Sequence, residues 1–104
     1  MYPEMAFEVR FKDEFLERLE REARYNAGYD GAIVKAFRKR MQMIRSATDE
    51  RDFREMKSLR FEKLKGERSH QHSIRLNDQW RLIIEIKGEG NNKELLIVGI
   101  EDYH

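Results

Sequence analysis

Residues 72–86 read HSIRLNDQWRLIIEI, and this stretch decides the fold. Apolar and polar side chains alternate over residues 72–76 and again over residues 80–86, a pattern typical of half-buried strands. The polar residues 77–79 between the two runs predict a turn. The stretch therefore predicts two neighbouring strands of an antiparallel sheet.

Three further segments have the patterns of strands. Residues 6–12 alternate between aromatic or aliphatic side chains and charged ones, which predicts a first strand. Leu59 and Phe61 alternate with charged residues and predict a second strand. Residues 94–101 are apolar on both sides, which predicts a strand in the centre of the sheet.

Helical spacing separates the first strand from the others. Asp13 is the candidate N-cap of a first helix, which Gly28 is predicted to end, and Asp30 is the candidate N-cap of a second. Residues 48–53 predict a short third helix. The apolar stripe of the second helix consists of Ile33, Val34, Phe37, Met41 and Ile44. Segregated helices and strands predict an α+β fold, a small antiparallel β-sheet packed on one face by an N-terminal helical hairpin.

Length and composition narrow the class of protein. A chain of 104 residues has room for one domain, taken as residues 1–104. With no cysteine, disulfides, zinc–thiolate sites and thiol nucleophiles are excluded. The longest apolar run, residues 95–98, is too short to span a membrane, and no secretion signal is evident. We therefore expect a cytoplasmic protein.

A local excess of positive charge lies within a nearly neutral chain, which carries 21 basic and 20 acidic side chains. Between residues 57 and 81 the acidic residues are Glu62, Glu67 and Asp78, and the basic residues are Lys57, Arg60, Lys63, Lys65, Arg68, Arg75 and Arg81. Such a stripe suits a phosphate backbone, although a solvated sheet face is the simpler interpretation.

Strand alternation gives a direction to two of these arginines. If Ile74 and Leu82 face the core, Arg75 and Arg81 lie on the opposite, open face of the sheet. There they could meet a ligand, or they could pair across strands with Glu85 or Glu101.

The three histidines, His70, His72 and His104, raise the question of a metal site. His72 is in phase with Ile74, so a partly buried structural histidine is the favoured interpretation. His70 is predicted on a surface loop, and His104 follows an apolar strand that argues against a loose tail. We expect neither a metal nor a cofactor, and no P-loop, dinucleotide-binding glycine turn or serine nucleophile elbow is present.

Three stretches carry a resemblance to a known family: residues 64–68 (LKGER), 73–82 (SIRLNDQWRL) and 101–104 (EDYH). In combination they resemble the HigB branch of the RelE/ParE toxin superfamily, the killer proteins of bacterial type II toxin–antitoxin modules. The resemblance implies an endoribonuclease, an mRNA interferase that cleaves messenger in the ribosomal A site and inhibits translation. It also implies the small α+β fold that the periodicity predicts.

The resemblance assigns the catalytic roles to four positions. His104 would move protons, because an imidazole titrates near neutrality. Lys65 and Arg81 would stabilise the charge that develops on phosphorus. Tyr103 would orient the nucleotide by stacking or through its hydroxyl. The backbone-binding set implied with them is Arg68, Arg75 and Lys63.

The resemblance also implies partners, and two alternatives stay open. The partners are a HigA-like helix-turn-helix antitoxin, the ribosome with its messenger, and operator DNA only as a toxin–antitoxin complex. One alternative is a ParE-like, non-enzymatic toxin that poisons DNA gyrase. The other is a plain nucleic-acid-binding or operon-regulating module, although a net charge of +1 gives little non-specific affinity for DNA.

Overall fold

A computed structural model describes residues 7–89 and 92–103, which form a five-stranded sheet with three helices. The strands are β1 (Glu8–Phe11), β2 (Glu62–Lys63), β3 (His72–Arg75), β4 (Trp80–Lys87) and β5 (Glu94–Asp102). Their order in the sheet is β1-β5-β4-β3-β2. The helices are α1 (Glu14–Arg21), α2 (Gly31–Ser46) and α3 (Arg51–Glu55). The predicted α+β class is confirmed. No helix within the described ranges is long and apolar enough to span a membrane.

The sheet is mixed rather than purely antiparallel. Strands β2 to β5 pair antiparallel, as short hairpin connections dictate, whereas β1 pairs parallel with β5. Parallel neighbours need a long crossover, and here the helices carry the chain from β1 at one edge to β2 at the other. β5 lies between β1 and β4, so its predicted central position is confirmed.

The stretch that predicted the fold forms β3 and β4 in the expected register. Ile74 is opposite Leu82 on the core face, and Arg75 is opposite Arg81 on the other face. In β5 the register shifts by one residue beside Ile83 and Ile84. This bulge keeps Ile97 and Ile100 on the core face, although an odd spacing of three would otherwise place them on opposite faces.

Helix α2 forms as the sequence predicts, and α1 ends earlier than predicted. The Asp30 carboxylate accepts a hydrogen bond from the Ala32 amide at 3.3 Å and caps α2, and the whole apolar stripe is buried. Helix α1 ends at Arg21, seven residues before Gly28. Arg38 of α2 explains the difference, because its guanidinium donates to the Leu19 and Glu22 carbonyl oxygens at 2.9 and 2.7 Å. These bonds satisfy carbonyl groups at the end of α1, and Gly28 instead supplies a turn with φ +83° in the following loop.

The strand predicted at Leu59 and Phe61 is wrong in position. Lys57–Leu59 form a 3-10 helix, Arg60 takes a left-handed conformation with φ 47°, and β2 covers only two residues beyond it. Packing explains the shift, because Leu59 is buried in the core and the Phe61 ring stacks on His72 with centroids 4.6 Å apart. A third helix is present, although α3 lies two to three residues later than predicted.

All three helices contribute to one core, on one face of the sheet. Residues of the other face are buried for a different reason. Ser73 and Ile83 are only 3% and 2% exposed, although both lie on the face of the sheet that the helices do not cover. The segment between β2 and β3 and the end of β5 border them there, and this arrangement creates the cleft described next.

Candidate nucleic-acid cleft

The face of the sheet that the helices leave uncovered carries a cleft of about 200 Å³. Three of the sequence-predicted site residues meet there: Arg81 from β4, Arg68 from a 3-10 helix at Gly66–Arg68, and Tyr103 after β5. The remaining lining residues are Glu62, Leu64, Ser73, Ile83, Glu101 and Asp102.

Arg81 is the most unusual group of the cleft. Its side chain is on the open face, as predicted, but it is only 6% exposed. Within the described part of the chain, its Nε and Nη1 atoms have no hydrogen-bond partner. The guanidinium carbon lies 4.2 Å from the centroid of the Tyr103 ring, a cation–π contact. Buried N–H donors without hydrogen bonds are costly, and a group that carries them is a strong candidate for a functional role.

Arg68 differs from Arg81 because its donors are occupied. Two parallel hydrogen bonds of 2.9 and 2.7 Å join it to the Glu101 carboxylate, and a third of 2.9 Å joins it to the Gln71 side chain. Hydrogen bonding to Glu101 raises the pKa of Arg68. The pair ties the segment between β2 and β3 to β5 across the cleft. Glu101 was a candidate partner of Arg75 or Arg81, and its ion pair is with Arg68 instead.

The other predicted cations lie outside the cleft. Arg75 is opposite Arg81 across the β3–β4 pair, and its guanidinium is paired with Asp78 in the turn. Lys63 lines a separate hollow on the far side of β2, together with both described histidines. Lys65 is exposed and directly follows Leu64, one of the lining residues. Of the predicted cations, the structure thus brings only Arg68 and Arg81 together.

The end of β5 is held against the β3–β4 turn beside the cleft. The Tyr103 amide donates to the Gln79 carbonyl oxygen at 2.6 Å, and the Gln79 side-chain amide donates to the Asp102 carboxylate at 3.0 Å. The Tyr103 side chain is 56% exposed while its ring covers Arg81. His104, predicted to act catalytically, lies outside the described residues.

The two described histidines line a hollow of about 480 Å³, to which β2 and β4 also contribute Lys63 and Glu85. The His72 ring lies parallel to Phe61, its Nδ1 atom has no described partner, and burial lowers its pKa. His70 is exposed, with its Nε2 3.6 Å from a Glu85 carboxylate oxygen. Among residues 7–89 and 92–103, no three His, Cys, Asp or Glu side chains are grouped so that they could hold a metal ion.

Sequence reasoning missed several residues that line the cleft. Alternation along β3 and β4 places Ser73 and Ile83 on the same face as Arg81, so this signal was available. Glu62 alternates with Phe61 and so had a signal as well, whereas Leu64 had none, because it lies just after the two-residue strand β2.

The mixed five-stranded sheet with its helices on one face is similar to the RelE/ParE toxin fold. The structure of the "YoeB/ParE toxin from Agrobacterium tumefaciens" is similar, with a TM-score of 0.57 over 94% of this chain and 100% of that one. At 15% identity, this likeness shows the fold alone.

The particular family follows from the sequence. Residues 9–104 match the model of the HigB-like toxin family, described as "RelE-like toxin of type II toxin-antitoxin system HigB". The chain belongs to this family, which confirms the resemblance carried by its C-terminal half. No curated protein matches the chain. A type II toxin has an antitoxin as its partner, so an antitoxin is one partner of this chain.

Proposed function

We propose that this toxin is an mRNA interferase, a metal-independent endoribonuclease that cleaves messenger in the ribosomal A site and so stops translation. The observation that carries the proposal is Arg81, a buried cation at a cleft on an open sheet face, whose Nε and Nη1 donors have no partner among the described residues. Donors that are fixed before the substrate arrives stabilise developing negative charge at no reorganisation cost. A non-enzymatic gyrase poison has no evident need for such a group.

The reaction that fits these residue types is attack by the neighbouring 2′-hydroxyl. The 2′-oxygen forms a bond to phosphorus, the bond from phosphorus to the 5′-oxygen breaks, and a cyclic phosphate and a 5′-hydroxyl result. His104 moves the protons, taking one at the 2′-oxygen or giving one at the 5′-oxygen. Arg81 and Lys65 stabilise the charge on the phosphoryl oxygens, and the Tyr103 ring stacks on a base.

Contacts with the RNA backbone are assigned to Arg68, which lines the cleft, and to Arg75 and Lys63, which lie outside it. Because Arg68 and Arg75 are already paired with carboxylates, we rank their contribution below that of Arg81. A cleft of this small size holds one nucleotide at most in a reactive geometry. The ribosome supplies the rest by orienting the message, an effect worth several kcal/mol or more.

The antitoxin is proposed to be a small HigA-like helix-turn-helix protein encoded beside the toxin. Operator DNA is then bound by the toxin–antitoxin complex and not by the toxin alone, because a net charge of +1 provides little non-specific affinity. Cytoplasmic action follows from the same proposal, since ribosomes and messenger are there.

Single-turnover cleavage on programmed ribosomes tests this function. We expect His104→Ala to slow cleavage by about 10²–10⁴-fold and Arg81→Ala by about 10²–10³-fold. Arg51→Ala is the matched control, because Arg51 is an exposed arginine of α3 away from the cleft, and it should act like the wild type.

Two results would contradict the proposal. One is wild-type cleavage by a folded Arg81→Ala protein. The other is an absence of messenger cleavage together with DNA breaks that require gyrase, which would favour the ParE-like alternative. Efficient cleavage of naked RNA at the same enzyme concentration would remove only the requirement for the ribosome.

A further inference from the structure

Ser73 is a polar residue at a buried strand position. Its side chain is only 3% exposed and lies in β3, on the face of the sheet that the helices leave uncovered. Directly opposite it on β4 is the buried, apolar Ile83. A β-branched apolar side chain would suit such a position better than a serine, so packing within the strand gives no reason for the hydroxyl.

The buried polar side chains of the protein lie in one place. Within residues 7–89 and 92–103, the buried polar or charged residues are Ser73 and Arg81, and both line the cleft. Ser73 is opposite Ile83, two residues beyond Arg81, so Ser73 and Arg81 are diagonal neighbours on one face of the sheet. The Cβ atoms of such a pair are roughly 7 Å apart. A single nucleotide is large enough to contact both side chains.

Burial places the same demand on both groups. A hydroxyl that leaves water loses free energy unless a new partner replaces the water. The Nε and Nη1 donors of Arg81 lack a partner among the residues that the structure describes. A ligand in the cleft would supply partners to both side chains, and this explains why the two lie together.

The two side chains suit different parts of a nucleotide. The guanidinium of Arg81 only donates hydrogen bonds and carries a positive charge, which fits phosphoryl oxygens. The hydroxyl of Ser73 both donates and accepts, which fits a second hydroxyl. In an RNA strand the ribose 2′-hydroxyl is such a group, and it is the group that distinguishes RNA from DNA.

The charges around Ser73 favour the same orientation. On β2, Glu62 lies directly opposite Ser73 and also lines the cleft. Its carboxylate repels a phosphate at Ser73, whereas it does not repel a neutral hydroxyl. Arg81, on the other side of Ser73, attracts the phosphate. The nucleotide therefore lies with its phosphate at Arg81 and its ribose at Ser73.

We propose that Ser73 binds the 2′-hydroxyl of the nucleotide on the 5′ side of the scissile phosphate. This inference rests on the proposed function, because that hydroxyl is the nucleophile of the proposed reaction. One hydrogen bond between the two hydroxyl groups holds the 2′-oxygen in place for attack. Ser73 is thus a substrate-binding residue, and it lets the cleft favour RNA over DNA before any bond breaks.

The test uses two messages that differ by one oxygen atom. They carry ribose or 2′-deoxyribose at the nucleotide before the cleavage point, which is first mapped with the wild-type toxin. Kd values are measured on programmed ribosomes with His104→Ala as the common background, so that the ribose message stays intact. We expect the ribose message to bind about 3- to 10-fold more tightly, as one neutral hydrogen bond provides. When Ser73→Ala is added, both messages should bind with the same Kd.

Ser58→Ala is the matched control, because it removes the same hydroxyl from an exposed serine of the 3-10 helix Lys57–Leu59, outside the cleft. It should keep the preference for ribose. With His104 intact, Ser73→Ala should slow single-turnover cleavage by about 10- to 100-fold, because the nucleophile is less well oriented. Alanine is as small as serine, so a role in packing alone predicts no change in either measurement. Thermal unfolding of the full-length toxin checks that both variants fold.

The proposal is overturned if the folded Ser73→Ala protein keeps the preference for the ribose message, or if the protein with Ser73 has no preference. It is also overturned if Ser73→Ala cleaves as fast as the wild type. A failure of the proposed function is recognised separately, because the wild-type toxin then leaves the ribose message intact on the ribosome. In that case this inference falls with it.

Discussion

The cleft and a groove between α2 and the loop after α1, lined by Arg24, Lys35, Arg38 and Lys39, present positive charge in two different ways. In the cleft, Arg81 is 6% exposed and lies beneath an aromatic ring, and its Nε and Nη1 donors have no partner within the part of the chain that the structure describes. In the groove, Lys35 and Lys39 are exposed on a helix. A buried cation is desolvated in advance and acts strongly on a charge that develops next to it. An exposed cation releases counterions on binding and provides affinity that falls with salt.

From this comparison we expect the buried charge of Arg81 to serve the chemical step and the exposed charges of the groove to contribute only binding affinity. Carboxylates fit the same division. Glu101 lies beside Arg81 in the sheet yet is bound to Arg68, which leaves Arg81 without an ion-pair partner among the described residues. In the groove no carboxylate is present at all. Two predictions test this division, beginning with the larger effect, and a third concerns a residue outside both regions.

Replacing the buried cation by a neutral side chain of similar length should separate activity from stability. We expect Arg81→Met to reduce single-turnover cleavage by about 10²–10³-fold. The free energy of unfolding should stay the same or rise by up to about 1 kcal/mol, because an unpaired buried charge is removed. Chemical denaturation measures the stability. Lys35→Met should leave the cleavage rate of bound message within about threefold, and equal losses in the two variants would abolish the division.

Removing the carboxylate that holds Arg68 should strengthen RNA binding. Glu101→Gln deletes one negative charge at the cleft, and in water a charge pair at contact is worth about 1 kcal/mol, or roughly a fivefold lower Kd. The stability should fall by less than about 1 kcal/mol, because both partners are partly exposed. The measurement is the Kd of a single-stranded RNA with 2′-O-methyl groups, which the 2′-hydroxyl mechanism cannot cleave. Glu55→Gln, at the end of α3, is the control that removes the same charge away from the cleft. Weaker binding would show that Arg68 needs Glu101 in order to grip RNA.

The smallest expected effect lies outside both regions, at the stacked His72. Burial lowers its pKa below the ordinary value of 6.5, while nearby Glu50 partly opposes this shift. As the pH falls below 6.5, the unfolded chain therefore takes up a proton before the folded protein does. The free energy of unfolding should decrease between pH 7 and about 5.5.

His72→Phe keeps the stacking on Phe61 and should flatten that decrease, as measured by denaturation at several pH values. His70→Gln is the control and should retain the wild-type profile, since His70 is exposed. Carboxylates whose pKa is lowered, such as Asp49, lose their contribution only at lower pH and do not interfere. Identical profiles for wild type and His72→Phe would contradict this account.

Much of the fold was predictable because the spacing of apolar side chains along a strand or helix shows which face is buried. The alternation in residues 72–86 predicted β3, β4 and the face on which Arg81 lies, and Asp30 with its apolar stripe predicted α2. The end of α1 was not predictable, because Arg38, seventeen residues after Arg21, binds the carbonyl oxygens there. Of the candidate site, residue types could be chosen from the sequence, but the separation of Lys63 from the cleft could not.

The sequence by itself determined which residues are apolar at strand or helix spacing, and thereby the class of fold and the open face of the sheet. The toxin family follows separately from the match of residues 9–104 to the family model. Only the tertiary structure decided which charges meet. Glu101 lies next to Arg81 in the sheet but is bound by Arg68, 33 residues away, and that pairing leaves the buried Arg81 without an ion-pair partner among the described residues. The physical reason is range: periodicity depends on neighbours a few residues apart, whereas an ion pair depends on the strand order, the register and the loop that bring distant side chains together.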